Sequence, residues 1–364
     1  MAATGGEFAR LAGKYLRKQA KALRRELAGA RARDDAEPIH QVRVAARRLR
    51  VGLDLFAECL PAKKVKRWKK AARRLLKALG PARDRDVQIA FVRGFADNLQ
   101  RKPHRPGVAR LVLRLEQERD GLQDRVVKAA DRFEAAGVVE EVLATAPKTP
   151  LRAAGRAESP CETALRRSGP QIQRRLKKLL ALEPSLENPN HVEQHHAMRI
   201  ATKRLRYVLE ACQPACGRRI ARYVSAAKKL QTLLGDIHDC DVWGEQLAAF
   251  LKDEEARTAR YFGHARPMGR LRPGLEQLRE DRLACRRRLF ARLQTVWRRF
   301  RREGLWEDLE RAARAAGASS PEPAADAAAP GEAADAAASG EAAAPVADAA
   351  GGAEEGSRHA PAAA

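Results

Sequence analysis

Two runs of histidine and cations carry the chemistry that this sequence offers. His40, Arg43, Arg47 and Arg50 fall at i, i+3, i+7 and i+10, and His196, Arg199, Lys203 and Arg206 repeat that spacing 156 residues later. Arg48 and Arg204 add a cation at the same place in each run. On a helix these positions share one face, so each run presents a line of cations headed by an imidazole. Guanidinium groups grip phosphate oxygens bidentately and with charge assistance, and imidazole gains its own charge near pH 6.5. The chemistry expected is recognition of a polyanion. Either the histidines donate to phosphate, with affinity rising as pH falls toward about 6.5, or they are structural.

A second block follows each run. Lys69, Arg73, Arg74 and Lys77 precede Gly80-Pro81, and Lys228 and Lys229 precede Gly235, with Thr232 standing where the first copy has Lys77. Beyond each glycine come Asp84 and Asp86, then Asp239 and Asp241. If the glycines end a helix, these carboxylates cap the next one; otherwise they orient arginines or share a divalent ion with phosphate. Facing helices would gather the cations of each unit into a groove. Like charges repeated at helical spacing repel by a few tenths of a kcal/mol per pair, a cost that a bound polyanion relieves.

The elements that must position these side chains read as helices throughout. Ala, Leu, Arg and Lys abound while aromatics make up 5%, which favours helix over strand. Helical patterns run from about Glu7 to Ala30, from Pro38 to Pro61, from Ala62 to Leu79, from near Arg83, and from Val108 to about Ala136. Ile39, Val42, Ala46, Leu49 and Leu53 form the apolar stripe beside the first cationic line. After a Pro- and Ser-containing linker at 147–160, the second unit retraces the path: 162–182, the second histidine helix to Pro214, a helix stopping at Gly235, another from Asp239, a long one opened by Pro273, and a short one over 304–315. The expected architecture is all-α. Two tandem, pseudo-symmetric helical bundles, 1–146 and 161–316, each bury a core around a basic central groove, and a disordered Ala/Pro/acidic tail occupies 317–364.

The charge balance agrees. The chain carries +25, and because the tail holds eight acids against one arginine, about +32 belongs to the remainder. No run of apolar residues is long enough to span a bilayer, and no signal-peptide pattern opens the chain, so a cytoplasmic protein without a membrane partner is expected. The six cysteines show no Cys-x-x-Cys spacing and are expected as reduced, packed thiols with no metal. No phosphate-binding Gly-x-x-x-x-Gly-Lys-Ser/Thr loop occurs.

These paired blocks resemble the CHAD family, the conserved histidine α-helical domain, in which a His-x-x-Arg-Val/Ile-x-x-Lys/Arg-Arg-Leu-Arg helix precedes a basic helix and a Gly-x-x-x-Asp-x-Asp-Val turn. The resemblance spans about residues 7–310 and extends to Tyr207, directly after the second Leu-Arg. It implies two helical bundles around a basic groove that binds inorganic polyphosphate, at polyphosphate granules or beside polyphosphate-metabolising enzymes. By that resemblance His40, Arg43, Arg47, Arg48, Arg50, Arg73, Arg74 and Lys77 line one half of the groove, and His196, Arg199, Lys203, Arg204, Arg206, Lys228 and Lys229 the other. Many relatives add a triphosphate-tunnel domain with Glu-x-Glu-x-Lys strands; nothing in this sequence resembles one, so a binder with no cofactor, rather than an enzyme, is expected. Non-specific nucleic-acid binding is the alternative reading, and a phosphate-compound hydrolase a weaker one.

Overall fold

In a computed structural model, residues 5–147 and 159–315 are described, and they are all-helical, as expected. Most of the expected linker and all of the expected tail lie outside the described residues. The first half comprises α1 (Gly5–Ala32), α2 (Glu37–Leu55), α3 (Ala62–Asp97), α4 (Arg105–Asp120), α5 (Gln123–Ala135) and α6 (Val138–Thr145). The second comprises α7 (Pro160–Leu180), α8 (Val192–Cys216), α9 (Arg218–Phe262), α10 (Met268–Arg302) and α11 (Leu305–Ala315). None of the helices described is long and apolar enough to cross a membrane.

Several local signals shape the helix ends. Pro38 sits in the first turn of α2, where its missing N–H costs nothing. Ser159 and Glu162 cap the start of α7 reciprocally in a capping box. Gly217, at φ 49°, separates α8 from α9.

Two expected stops are absent. α3 runs through Gly80-Pro81 and α9 through Gly235 without interruption. The reason is tertiary. The principal core, containing Leu16, Leu49, Trp68, Leu79, Leu165, Met198, Leu230 and Trp306, takes the first part of each long helix. A second core takes the remainder, burying Val92 and Leu99 against Val108, Leu111, Trp243, Leu247, Leu275 and Leu278. Burying each such side chain stabilises by about 1.5–3 kcal/mol, and several together outweigh an interior glycine at about 1 kcal/mol and an interior proline at about 3. Both cores draw on both halves of the chain, whereas the sequence suggested that each unit closes over its own.

Other boundaries shift for similar reasons. The single helix expected over Val108–Ala136 is two, α4 and α5, parted at Gly121-Leu122. The helix expected to open at Pro273 begins at Met268, with Pro273 inside it. Gly107 of α4 lies against the Leu271 carbonyl, and Gly274 of α10 against the His104 carbonyl. These reciprocal approaches bring the two backbones together where the second core closes. Cys161 and Cys216 are disulfide-bonded, with Cα atoms 4.4 Å apart, which corrects the expectation of six reduced thiols. The bond ties the start of α7 to the end of α8. Cys59, Cys212, Cys240 and Cys285 are free thiols.

Candidate polyanion-binding surface

The two motif helices, α2 and α8, pack against each other, so the cationic runs of the two halves adjoin. Arg47 Nη1 donates to the Tyr207 hydroxyl at 3.3 Å. Around Glu210 gather Arg48 at 3.5 Å, Arg206 at 3.7 Å and Lys228 at 4.0 Å. The Glu210 side chain is 11% exposed, and its separations from these cations are long for ion pairs. Three cations from two halves of the chain thus share one carboxylate. Glu210 was not singled out from sequence, although its place four residues after Arg206 is the spacing of a helical ion pair. Lys69 is ion-paired to Asp54 of α2.

The lines of cations divide between surface and core. Arg73, Arg74 and Lys77 on α3, and Lys228 and Lys229 on α9, are exposed. His40, Arg47, Arg48, Arg50, His196, Arg204 and Arg206 are half-buried. Arg43, Arg199 and Lys203 are buried, at 1%, 3% and 8% exposure, where their spacing suggested a line of surface cations. Arg43 Nη1 donates to the Leu76 carbonyl at 2.9 Å. A Cβ on Gly80 would come within 3.2 Å of that guanidinium. Gly80 therefore makes room for Arg43 to lock α2 onto α3, which explains a glycine in mid-helix. Tyr207 is also buried, and the Arg206 guanidinium lies 4.9 Å from its ring centre.

The aspartates do not cap helices, since all four lie inside α3 or α9. Two of them orient arginines, the alternative reading. Asp86 accepts from Arg119 Nε of α4 at 2.6 Å, and Asp241 accepts from Arg286 of α10. Burial raises the Asp86 pKa even against the pull of Arg119. Both partners of the Asp86–Arg119 pair are below a tenth exposed, so breaking it strands a buried charge. Asp86→Ala is expected to cost about 3–5 kcal/mol, read as a lowered urea midpoint with an unchanged slope.

The histidines of the two halves differ. His196 Nδ1 lies 3.3 Å from His238 Nδ1, with ring centres 4.5 Å apart. His238 directly precedes Asp239 of the second block. Burial, then Arg199, His196 and Lys203, push His238 down to about 3; burial, Arg199 and Lys203 also lower His196. In the first half Arg83, buried, stands at the position of His238. His195 is buried, with Nε2 bonded to the Ser185 carbonyl at 2.9 Å, a structural role.

A pH dependence follows. The unfolded chain takes up protons at these histidines near pH 6.5 and the folded pair resists them, so their contribution is complete above pH 6.5 and lost as pH falls toward about 3. The urea midpoint is expected to drop between pH 7.5 and 5, and a His238→Gln variant to flatten that drop. Without ligand, the imidazoles gain charge below pH 6.5, lower than their sequence alone suggested.

The arrangement is an all-helical scaffold that displays cations from two halves on one surface. The CHAD domain family profile matches residues 14–248, and the chain belongs to that family. The fold is similar to the crystal structure of the CHAD domain from the plant Ricinus communis, at 24% identity and a TM-score of 0.51, covering 78% of this chain and 91% of that one. It is also similar to PptA from Streptomyces chartreusis, at 19% identity and a TM-score of 0.54, covering 80% of this chain and 99% of that one. No curated protein matches the sequence.

Proposed function

We propose that this protein binds inorganic polyphosphate, without reacting it, on the cationic surface where α2, α3, α8 and α9 meet, and that this holds it at polyphosphate granules in the cytoplasm. The observation that carries the reading is the convergence of Arg48, Arg206 and Lys228 on Glu210, with Arg47 reaching Tyr207 beside them. One linear anion laid there meets cations from both halves at once. Arg73, Arg74 and Lys77 on α3, and Lys228 and Lys229 on α9, are exposed and add to the cations it would meet.

A phosphate chain suits this surface better than a nucleic acid. Tyr207, Trp68 and Tyr223, the rings nearest these cations in sequence, are all buried, and sequence-tolerant binding of single strands relies on exposed rings. The Glu210 contacts, at 3.5–4.0 Å, leave the cations free to turn toward phosphate oxygens.

The test is competition between long-chain polyphosphate and duplex DNA of matched charge at physiological salt. Polyphosphate is expected to win by about a hundredfold, equivalent to about 2.7 kcal/mol. Equal binding would reduce the surface to a generic cationic face. Sustained phosphate release with Mg²⁺, lost in a His40→Ala/His196→Ala variant, would replace binding with hydrolysis.

A further inference from the structure

The α9–α10 hairpin carries a feature that the polyphosphate surface does not use. α9 ends at Phe262, and Gly263, at φ 74°, turns the chain back toward α10. At that tip Tyr261 is 82% and Phe262 56% exposed, the two most exposed large apolar side chains among the described residues. Isolated exposed rings are ordinary, but these are organised. Tyr261 packs edge-on to Phe262, with ring centres 4.8 Å apart. Phe262 and the His264 imidazole are nearly parallel, 16° between planes, with centres 6.4 Å apart.

Exposed arginines flank these rings in the sequence. Arg257, Arg260, Arg266 and Arg270 are all exposed around the turn. Arg272 is paired with Glu255, and no ion pair to Arg260, Arg266 or Arg270 occurs among the described residues. The tip also lies outside the span 14–248 matched by the family. A polyphosphate chain would use the arginines and leave the rings idle. A membrane anchor would call for a larger apolar face, yet next in the chain Met268 is already buried.

We propose that this hairpin tip is a second binding site, for single-stranded nucleic acid, with bases stacking on Tyr261 and Phe262 and against His264 while the flanking arginines hold the phosphates. Stacking on exposed rings combined with a basic track is the general device for sequence-tolerant single-strand binding. The site is independent of the polyphosphate surface.

The experiment compares the full chain's affinity for a labelled oligo(dA) of about 12 nucleotides with that for an abasic strand of equal length and charge. Wild type is expected to prefer the strand with bases at least tenfold. Tyr261→Ala/Phe262→Ala is expected to lose that preference and keep its polyphosphate affinity within twofold. Phe262→Leu keeps an apolar side chain but no ring, and is expected to weaken the preference likewise. No preference in wild type, a preference untouched by the double variant, or full retention in Phe262→Leu each overturns the site. Ring-dependent binding to anionic phospholipid vesicles, with none to the oligonucleotide, would make the tip a membrane contact instead. Weak polyphosphate binding by wild type would sink the function proposed above and leave this one standing.

Discussion

Arg74→Glu/Lys77→Glu/Lys228→Glu/Lys229→Glu is expected to lower polyphosphate affinity by at least a thousandfold at low salt while leaving the helical fold intact. All four side chains are exposed, so charge changes there leave the cores untouched. A linear polyanion binds largely by releasing counterions, and each lost phosphate contact lowers the slope of log affinity against log salt by a little under one. The variant is therefore expected to bind weakly and with a flattened salt dependence. The melting temperature is expected to change little, because relief of self-repulsion in a chain of net charge +25 offsets the loss of the Lys228–Glu210 contact. Glu210→Gln is expected to act in the opposite direction, tightening binding severalfold at low salt by removing the carboxylate that Arg48, Arg206 and Lys228 share. Arg43→Ala separates surface from core: with Arg43 buried against Leu76, it is expected to cost stability and leave the salt slope unchanged. An unaltered affinity in the quadruple variant would move the ligand off this surface.

A single added methyl group is expected to destabilise the second core. Gly274→Ala would place a Cβ 1.9 Å from the His104 carbonyl oxygen, and Gly107→Ala a Cβ 1.9 Å from that of Leu271. Both obstacles are backbone and cannot swing aside, so α4 and α10 must separate and the second core must loosen. The cost is expected to reach about 3 kcal/mol or more for either change, measured as a drop in the urea midpoint. Gly94→Ala in α3 is the internal control. No atom lies within 4 Å of the added methyl, so this variant is expected to gain up to about 1 kcal/mol from helix propensity alone. Equal behaviour of the two substitutions would refute the close approach of the backbones.

The helical class, the ends of α1, the start of α2, and the exposed cations of α3 and α9 were legible because each rests on local information: periodicity, a proline in a first turn, charge at helical spacing. Gly80-Pro81 misled because a stop signal is a local preference, and the fate of α3 is decided by Val92 and Leu99, which are needed in the second core. The same glycine serves Arg43, a use visible only once α2 lies across α3. Spacing placed Arg43, Arg199 and Lys203 on a line but did not reveal how closely that line borders the core. Glu210 was within reach of the i,i+4 rule. The Cys161–Cys216 bond joins positions 55 residues apart and left no local trace.

The sharing of both cores has a further consequence for how the chain is assembled. α3 and α9 act as struts that begin in one core and end in the other, so neither half retains a complete interior when severed from its counterpart. Cleavage between residues 147 and 159 is then expected to leave a nicked but native particle, whereas either fragment made alone should aggregate and the two should restore each other on mixing. Whatever the ancestry of the repeated motif, its present copies are expected to depend on each other for a complete interior.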